Sequence, residues 1–259
     1  MRLERFRKAK TAEICRLRQL EKADMLPRPC AGFRASFLEA LQSPLPRPHV
    51  IAEFKRASPS RGDILTSMEP EEAARQYAGA GASCLSVLTE EHFFKGFLDF
   101  LHRMEFSGLP LLRKDFLFDP LQVTATAATP ASALLLIVRL TPDVLRLRAL
   151  REQAEKYGMD AVVEVFDEKD LALARDSGAR LIQVNARNLD TLAVDRSLCL
   201  KMAARHRRAD GEVWIAASGI SGPEHVREAG DAGFQAVLVG TKLMEGGTPG
   251  KALRRLLGE

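Results

Sequence analysis

Eight short apolar runs alternate with amphipathic helical stretches along 259 residues that lack a glycine-rich dinucleotide fingerprint. Together these predict an α/β fold, a closed (β/α)8 TIM barrel with an N-terminal helical extension. The runs occupy residues 49–54, 83–88, 109–113, 133–138, 161–165, 180–184, 213–217 and 236–239. They are apolar on both faces, as parallel strands covered by helices require. Between them, residues 70–80, 142–157, 168–177 and 224–233 carry helical spacing, several opening after proline or acidic residues and closing at glycine. One domain is expected over residues 1–259, with residues 1–46 standing outside the repeat as the extension, an added lid or cap. Its opening stretch mixes charge and apolar residues at helical spacing, unlike the continuous apolar core of a secretory signal. Pro44, Pro46 and Pro48 stiffen the approach to the first strand and set the extra helices apart from the barrel.

Composition narrows the function classes. No apolar stretch approaches the roughly 20 residues needed to span a bilayer, so no membrane partner is expected. Cys15, Cys30, Cys84 and Cys199 show neither CxxC nor metal-like spacing, which fits a reducing cytoplasm. The net charge of +4 arises from 38 basic residues dispersed among 34 acidic ones, without the aromatic interleaving of a nucleic-acid surface. The cluster 205–208 reads as the end of a helix. No metal site is expected from His49, His92, His102, His206 and His225, which read as surface residues at no ligand spacing. Neither GxSxG nor a paired Cys/His pattern supports a covalent hydrolase.

In a barrel, functional groups gather at the C-terminal ends of the strands. Strand one ends in Glu53 and Lys55, which side-chain alternation puts on one face pointing into the barrel mouth. Strand two ends near Ser86, Thr89 and Glu90. Strand three presents either Arg113 or Lys114 inward, strand five ends in Glu164, and strand six ends in Asn185 and Arg187. Taken singly, each is an ordinary strand-end charge worth little. Converging on one rim they are costly to bury unless paired or used, which marks a catalytic site. The loops after strands seven and eight read Ser218–Gly219 and Gly240–Thr241, where glycine lets backbone N–H groups at helix starts approach a phosphate.

The blocks IAEFKRASPSRGDI (51–64), LSVLTEEHFFKG (85–96), PLLRKDFLFDPLQV (110–123), VVEVFDEKDL (162–171), VNARNLDTLAVD (184–195), ASGIS (217–221) and VLVGTKLM (237–244) resemble one family in order and spacing. That family is indole-3-glycerol-phosphate synthase, the ring-closing carboxy-lyase of tryptophan biosynthesis. The resemblance implies a phosphorylated small-molecule substrate, 1-(2-carboxyphenylamino)-1-deoxyribulose 5-phosphate, and the products indole-3-glycerol phosphate, carbon dioxide and water. It implies no cofactor, and a monomer is expected. Lys114 matches the ring-closure acid, Glu164 and Lys55 the dehydration residues, and Glu53 the carboxylate that orients the lysines. Asn185 and Arg187 match contacts at the anthranilate end. Ser58, Gly219, Gly240 and Thr241 match the phosphate cradle, Phe94, Phe116 and Leu135 the apolar walls that hold the aromatic ring, and Ser218 and Leu238 are further substrate-binding positions.

Three positions depart from the family pattern. Ala217 replaces the usual glutamate before the SGI serine, Gln183 replaces a glycine, and Pro130, Ala131 and Ser132 replace Gly-Ala-Asp. Because Lys55, Lys114 and Glu164 are retained, a working enzyme is expected. Two alternatives are weaker. A phosphoribosylanthranilate isomerase would need a cysteine at the end of strand one, where none lies, and a non-catalytic binding barrel rests on Ala217 alone.

Overall fold

The computed structural model describes residues 2–259 and contains a closed barrel of eight parallel strands. These are β1 (His49–Phe54), β2 (Cys84–Leu88), β3 (Leu111–Leu117), β4 (Ala133–Ile137), β5 (Asp160–Val165), β6 (Leu181–Asn185), β7 (Val213–Ala217) and β8 (Ala236–Val239). Each pairs with its sequence neighbour, and β1 closes the ring against β8 through the register His49 to Ala236 and Ile51 to Leu238. The period of two along each strand sorts the core into two shells. Ile51, Leu112, Leu135, Val162, Ile215 and Leu238 pack together inside the ring. Val50, Ala52, Phe54, Leu134, Leu136 and Val163 pack outward against the helices.

Some of the connecting helices start at a side-chain cap, whereas others, such as Pro70–Gly79 and Pro223–Asp231, open on proline without one. Asp143 accepts a hydrogen bond from the Arg146 N–H at 2.8 Å to open Val144–Lys156, and Asp167 accepts from Asp170 N–H at 2.9 Å to open Glu168–Asp176. Asp119 and Gln122 form a capping box at the start of Pro120–Ala127.

The extension is docked on the barrel at both ends, rather than held apart by its prolines. Helix α1 (Arg2–Lys22) buries Phe6, Lys10, Ile14 and Leu17, which lie three or four residues apart and so share one face. Helix α2 (Phe37–Gln42), capped by Ser36, buries Phe37, Leu38 and Leu41 in the inner shell. The Leu38 N–H donates to the Asp160 carboxylate at 3.0 Å, which fixes α2 to the first residue of β5 and closes the N-terminal end of the barrel. The chain therefore runs from the barrel mouth, where Phe6 lies, to the barrel floor before β1 begins.

Two further sequence expectations change. Strand three continues to Leu117, four residues past 113, through an irregularity in its pairing with β4 between Arg113 and Leu117. His49 is a buried residue of β1, with Nδ1 2.8 Å from Ser83 Oγ and Nε2 2.8 Å from the Ser43 carbonyl oxygen. An imidazole with both nitrogens partnered is accommodated in the interior, which is why it is not at the surface.

Candidate active site

The C-terminal ends of the strands enclose a cavity of about 350 Å³. Its centre is Glu53, which is 3% exposed and projects inward from β1. Glu53 Oε1 accepts from Lys55 Nζ at 2.7 Å, and Oε2 accepts from Lys114 Nζ at 2.8 Å. Alternation along β3 turns Lys114 into the barrel and Arg113 outward, which settles the choice left open by the sequence, while Asp115 borders the cavity but turns its carboxylate to Arg113, Lys10 and Thr89.

Burial and pairing set different charge states for these groups. Burial alone would raise the Glu53 pKa, but Lys114 and Lys55 outweigh it and bring it down to about 2. Lys114 is penalised by burial, yet Glu53 and Glu164 carry its pKa above the ordinary lysine value. Lys55 is dominated by burial, with further lowering from Lys114 and Arg187, and its pKa falls despite Glu53. Glu164 is 2% exposed on β5, and burial raises its pKa against the pull of Lys114 and hydrogen bonds from Gln183 and Asn185. The site thus holds a firmly protonated lysine, a fixed carboxylate, and a second lysine and carboxylate both shifted toward neutrality. That is the distribution acid–base chemistry at neutral pH requires.

Around this centre the rim is organised by the β6 and β7 loops. Asn185 Oδ1 accepts from the Arg187 N–H at 3.0 Å and from Ser218 Oγ at 2.8 Å, which directs its amide toward Glu164. The Arg187 guanidinium donates to the Leu192 carbonyl at 3.0 Å. Ser218 and Gly219 both adopt positive φ, 74° and 82°. A side chain at Gly219 would also collide with Arg196, its Cβ falling 2.5 Å from Cγ. At Gly240 an added Cβ would fall 2.1 Å from Glu53 Oε1, so this glycine leaves room for the central carboxylate as well as backing the loop after β8.

The structure brings the residues matched through the family resemblance into this one cavity; of the strand-two candidates it leaves Ser86 buried outside the lining and turns Thr89 to Asp115 and Arg113. Glu53, Lys55, Lys114 and Glu164 line its centre, with Asn185 and Arg187 at the rim. Ser58, Ser218, Gly219, Gly240 and Thr241 line its polar end, and Phe94, Phe116, Leu135 and Leu238 its apolar surfaces. Glu90 also lines it, but its carboxylate accepts the backbone N–H groups of His92, Phe93 and Phe94 and caps the short helix Glu91–Phe94. The sequence reading missed Phe6. Its ring stacks on Phe116 at 4.1 Å with an interplanar angle of 11° and meets Phe93 edge-on at 5.2 Å, so the extension supplies part of the aromatic wall. The signal was the buried face of α1, which carries no information about what it packs on. Among the described residues no cluster of His, Cys, Asp and Glu could hold a metal ion.

Comparison with known proteins bears on what this arrangement does. Residues 3–256 match the family model described as indole-3-glycerol phosphate synthase. The chain is 40% identical to the indole-3-glycerol phosphate synthase of Koribacter versatilis, covering 94% of this chain and 91% of that one. It is 37% identical to the synthase of Magnetococcus marinus, over 99% of this chain and 97% of that one. It is 45% identical to that of Parafrankia sp., over 79% and 75%. Among solved structures, 3-hexulose-6-phosphate synthase from Salmonella typhimurium superposes with a TM-score of 0.63 at 14% identity, covering 80% of this chain and 96% of that chain, a likeness of fold alone. A family match over nearly the whole chain, together with relatives of this identity and coverage, means that the chain belongs to the indole-3-glycerol phosphate synthase family.

Proposed function

We propose that this chain converts 1-(2-carboxyphenylamino)-1-deoxyribulose 5-phosphate into indole-3-glycerol phosphate, carbon dioxide and water through the Glu53, Lys55, Lys114 and Glu164 cluster. The observation that carries the assignment of roles is the single Glu53 carboxylate shared by two buried lysines at the cavity centre. Glu53 pins the two lysine side chains beside the space where a substrate's ketone oxygen becomes negative, and the raised pKa of Lys114 keeps a positive charge there.

In ring closure, the ring carbon bearing the carboxylate attacks the sugar ketone, and the ketone oxygen takes a proton as its bond to carbon becomes single. Lys114 is the donor: its raised pKa keeps it charged until the oxyanion forms. Loss of carbon dioxide returns the electron pair to the ring. Dehydration then requires one group to remove a proton and another to protonate the departing hydroxyl, and Glu164 and Lys55 divide these steps. Their pKa values are displaced in opposite directions from the ordinary ones, each toward the working range. Glu53 holds both lysine ammonium groups in place. The aromatic ring lies against Phe6, Phe94 and Phe116, with Leu135 and Leu238 beneath. The phosphate lies at Ser58 and the Ser218–Gly219 and Gly240–Thr241 loops, the second of which opens the short helix Thr241–Met244 and offers its backbone N–H groups. Asn185 and Arg187 flank the anthranilate end.

We place the protein in the cytoplasm as a monomer acting on this small molecule, with neither nucleic acid nor membrane as partner. No helix among the described residues is long and apolar enough to cross a membrane. Residues 1–46 work as part of one unit with the barrel, since Phe6 reaches the cavity. The test is the fluorescence of indole-3-glycerol phosphate formed by purified protein. Parent protein turns over, while Lys114→Ala loses turnover by about 10³-fold or more and still binds product. Near-parent turnover in Lys114→Ala removes this lysine from the mechanism.

A further inference from the structure

We propose that Gln183 is a positioning residue for the reaction, its side-chain amide fixing the Glu164 carboxylate at the edge of the cavity. The inference rests on the reading of Glu164 as a proton-moving group and adds the residue that orients it. Glu164 and Gln183 are register partners on adjacent strands β5 and β6, so their side chains leave the sheet on the same inner face. Gln183 Nε2 donates to Glu164 Oε2, and Gln183 is fully buried. The other neighbours in register offer nothing comparable: Ile137 of β4 lies beside Glu164, and Ile215 of β7 beside Gln183.

A second observation separates this role from packing. Gln183 Oε1 is buried and has no hydrogen-bond partner. A half-satisfied amide is a poor choice for a core position, where an apolar side chain of the same size would be easier to bury. The amide is therefore buried at a cost to stability, and its one engaged atom points to where the benefit lies. On β7 the inward residue near Asn185 is Ala217, which is buried and carries no polar group. The remaining groups that bear on Glu164 are Lys114 of β3, Glu53 of β1 and Asn185 of β6. Lys114 is already bound to Glu53, so the two amides of β6 are the neutral donors on this carboxylate.

The experiment compares parent protein with Gln183→Met, which keeps the volume and removes the donor, and with Gln183→Gly. Glu164 is titrated by carbon-13 NMR in protein labelled at the glutamate carboxyls, its resonance assigned by its loss in Glu164→Gln. Losing a donor to the charged form raises a carboxyl pKa. The Glu164 midpoint is expected to rise by about half a unit to one unit in both variants. kcat falls by about tenfold with KM changed by less than about threefold, because a misaimed group costs the chemical step more than binding. Thermal stability of Gln183→Met stays level or rises, since an orphaned buried acceptor has been removed. A parent-like midpoint and kcat in Gln183→Met, or a loss of stability with both unchanged, overturns the inference. Full activity in Glu164→Gln would instead overturn the reading on which it rests.

Discussion

Lys114 and its neighbours Arg113 and Asp115 belong to two buried ion clusters on opposite faces of the same strand, built from the same chemical groups to different ends. On the outer face, Asp115 accepts from Lys10 at 2.9 Å, from Thr89 at 2.7 Å and from Arg113 at 3.1 Å, while Arg113 also reaches Glu13 at 2.9 Å. Lys10 pairs with Glu13 in turn. Two cations meet two anions there, and the Arg113 guanidinium further donates to Thr126 Oγ1 at 2.9 Å. On the inner face two lysines share one fixed carboxylate beside an open cavity, and Glu164 stands apart with a raised pKa. The outer cluster is balanced and closed, and its effect is to clamp α1 to the barrel. The inner cluster is open to the cavity, and its members are pulled to different charge states, with Glu53 lowered, Lys114 raised, and Lys55 and Glu164 both moved toward neutrality. The difference shows that burial of charge is not by itself a sign of function; the sign is burial beside an open space with pKa values pushed apart.

This contrast can be broken in several places. Glu53→Gln should have the largest effect on rate, because it removes the counter-ion of both lysines at once. kcat/KM is expected to fall by about 10³-fold, equivalent to about 4 kcal/mol of transition-state stabilisation, as read by steady-state kinetics. With its carboxyl held at about 2, Glu53 stays charged across the assay range, so the acid limb of the pH–rate profile should belong to Glu164. A limb near the ordinary carboxylate value or below would contradict that.

Lys10→Met acts on the outer cluster and should appear in stability rather than chemistry, costing about 3 kcal/mol in a denaturant titration, because it leaves Asp115 short of a buried cation. The sign of its pH dependence follows from Asp115. Burial would raise that carboxyl, but Lys10 and Arg113 lower it below the ordinary aspartate value. Its contribution is therefore present above that ordinary value and lost as pH falls through the lowered one, and Lys10→Met should flatten this acid-side loss. Gly240→Ala is intermediate and specific to the inner face. Its new Cβ displaces the Glu53 carboxylate, lowering kcat by about 30-fold while weakening phosphate inhibition less. Weaker phosphate inhibition with kcat intact would make Gly240 a phosphate contact only.

Much of the inner cluster was legible because strand alternation is a strict rule. Once Glu53 is set inward Lys55 follows, and the ends of β5 and β6 deliver Glu164 and Asn185 by the same count. The eight strands were legible from composition, since buried parallel strands are apolar on both faces. What escaped depends on contacts between distant segments. Phe6 is one apolar residue on a charged helix until α1 is docked by Lys10 and Glu13. His49 reads as polar until Ser43 and Ser83 are found at its two nitrogens. Gln183 was noted only as a departure from glycine, because its bond to Glu164 depends on the register of two strands. Gly240 was read as facing a phosphate, whereas its closeness to Glu53 follows from how β1 and β8 close the barrel.

The most direct test places one lysine from each cluster side by side, measuring kcat by indole fluorescence and unfolding free energy by denaturant for Lys114→Ala and Lys10→Met. The account predicts that Lys114→Ala loses at least about 10³-fold in kcat with stability largely kept, and that Lys10→Met keeps kcat within about threefold while losing about 3 kcal/mol. Lys114→Ala retaining turnover while losing stability, or Lys10→Met losing turnover while staying stable, would contradict the division of the two clusters into one that reacts and one that holds.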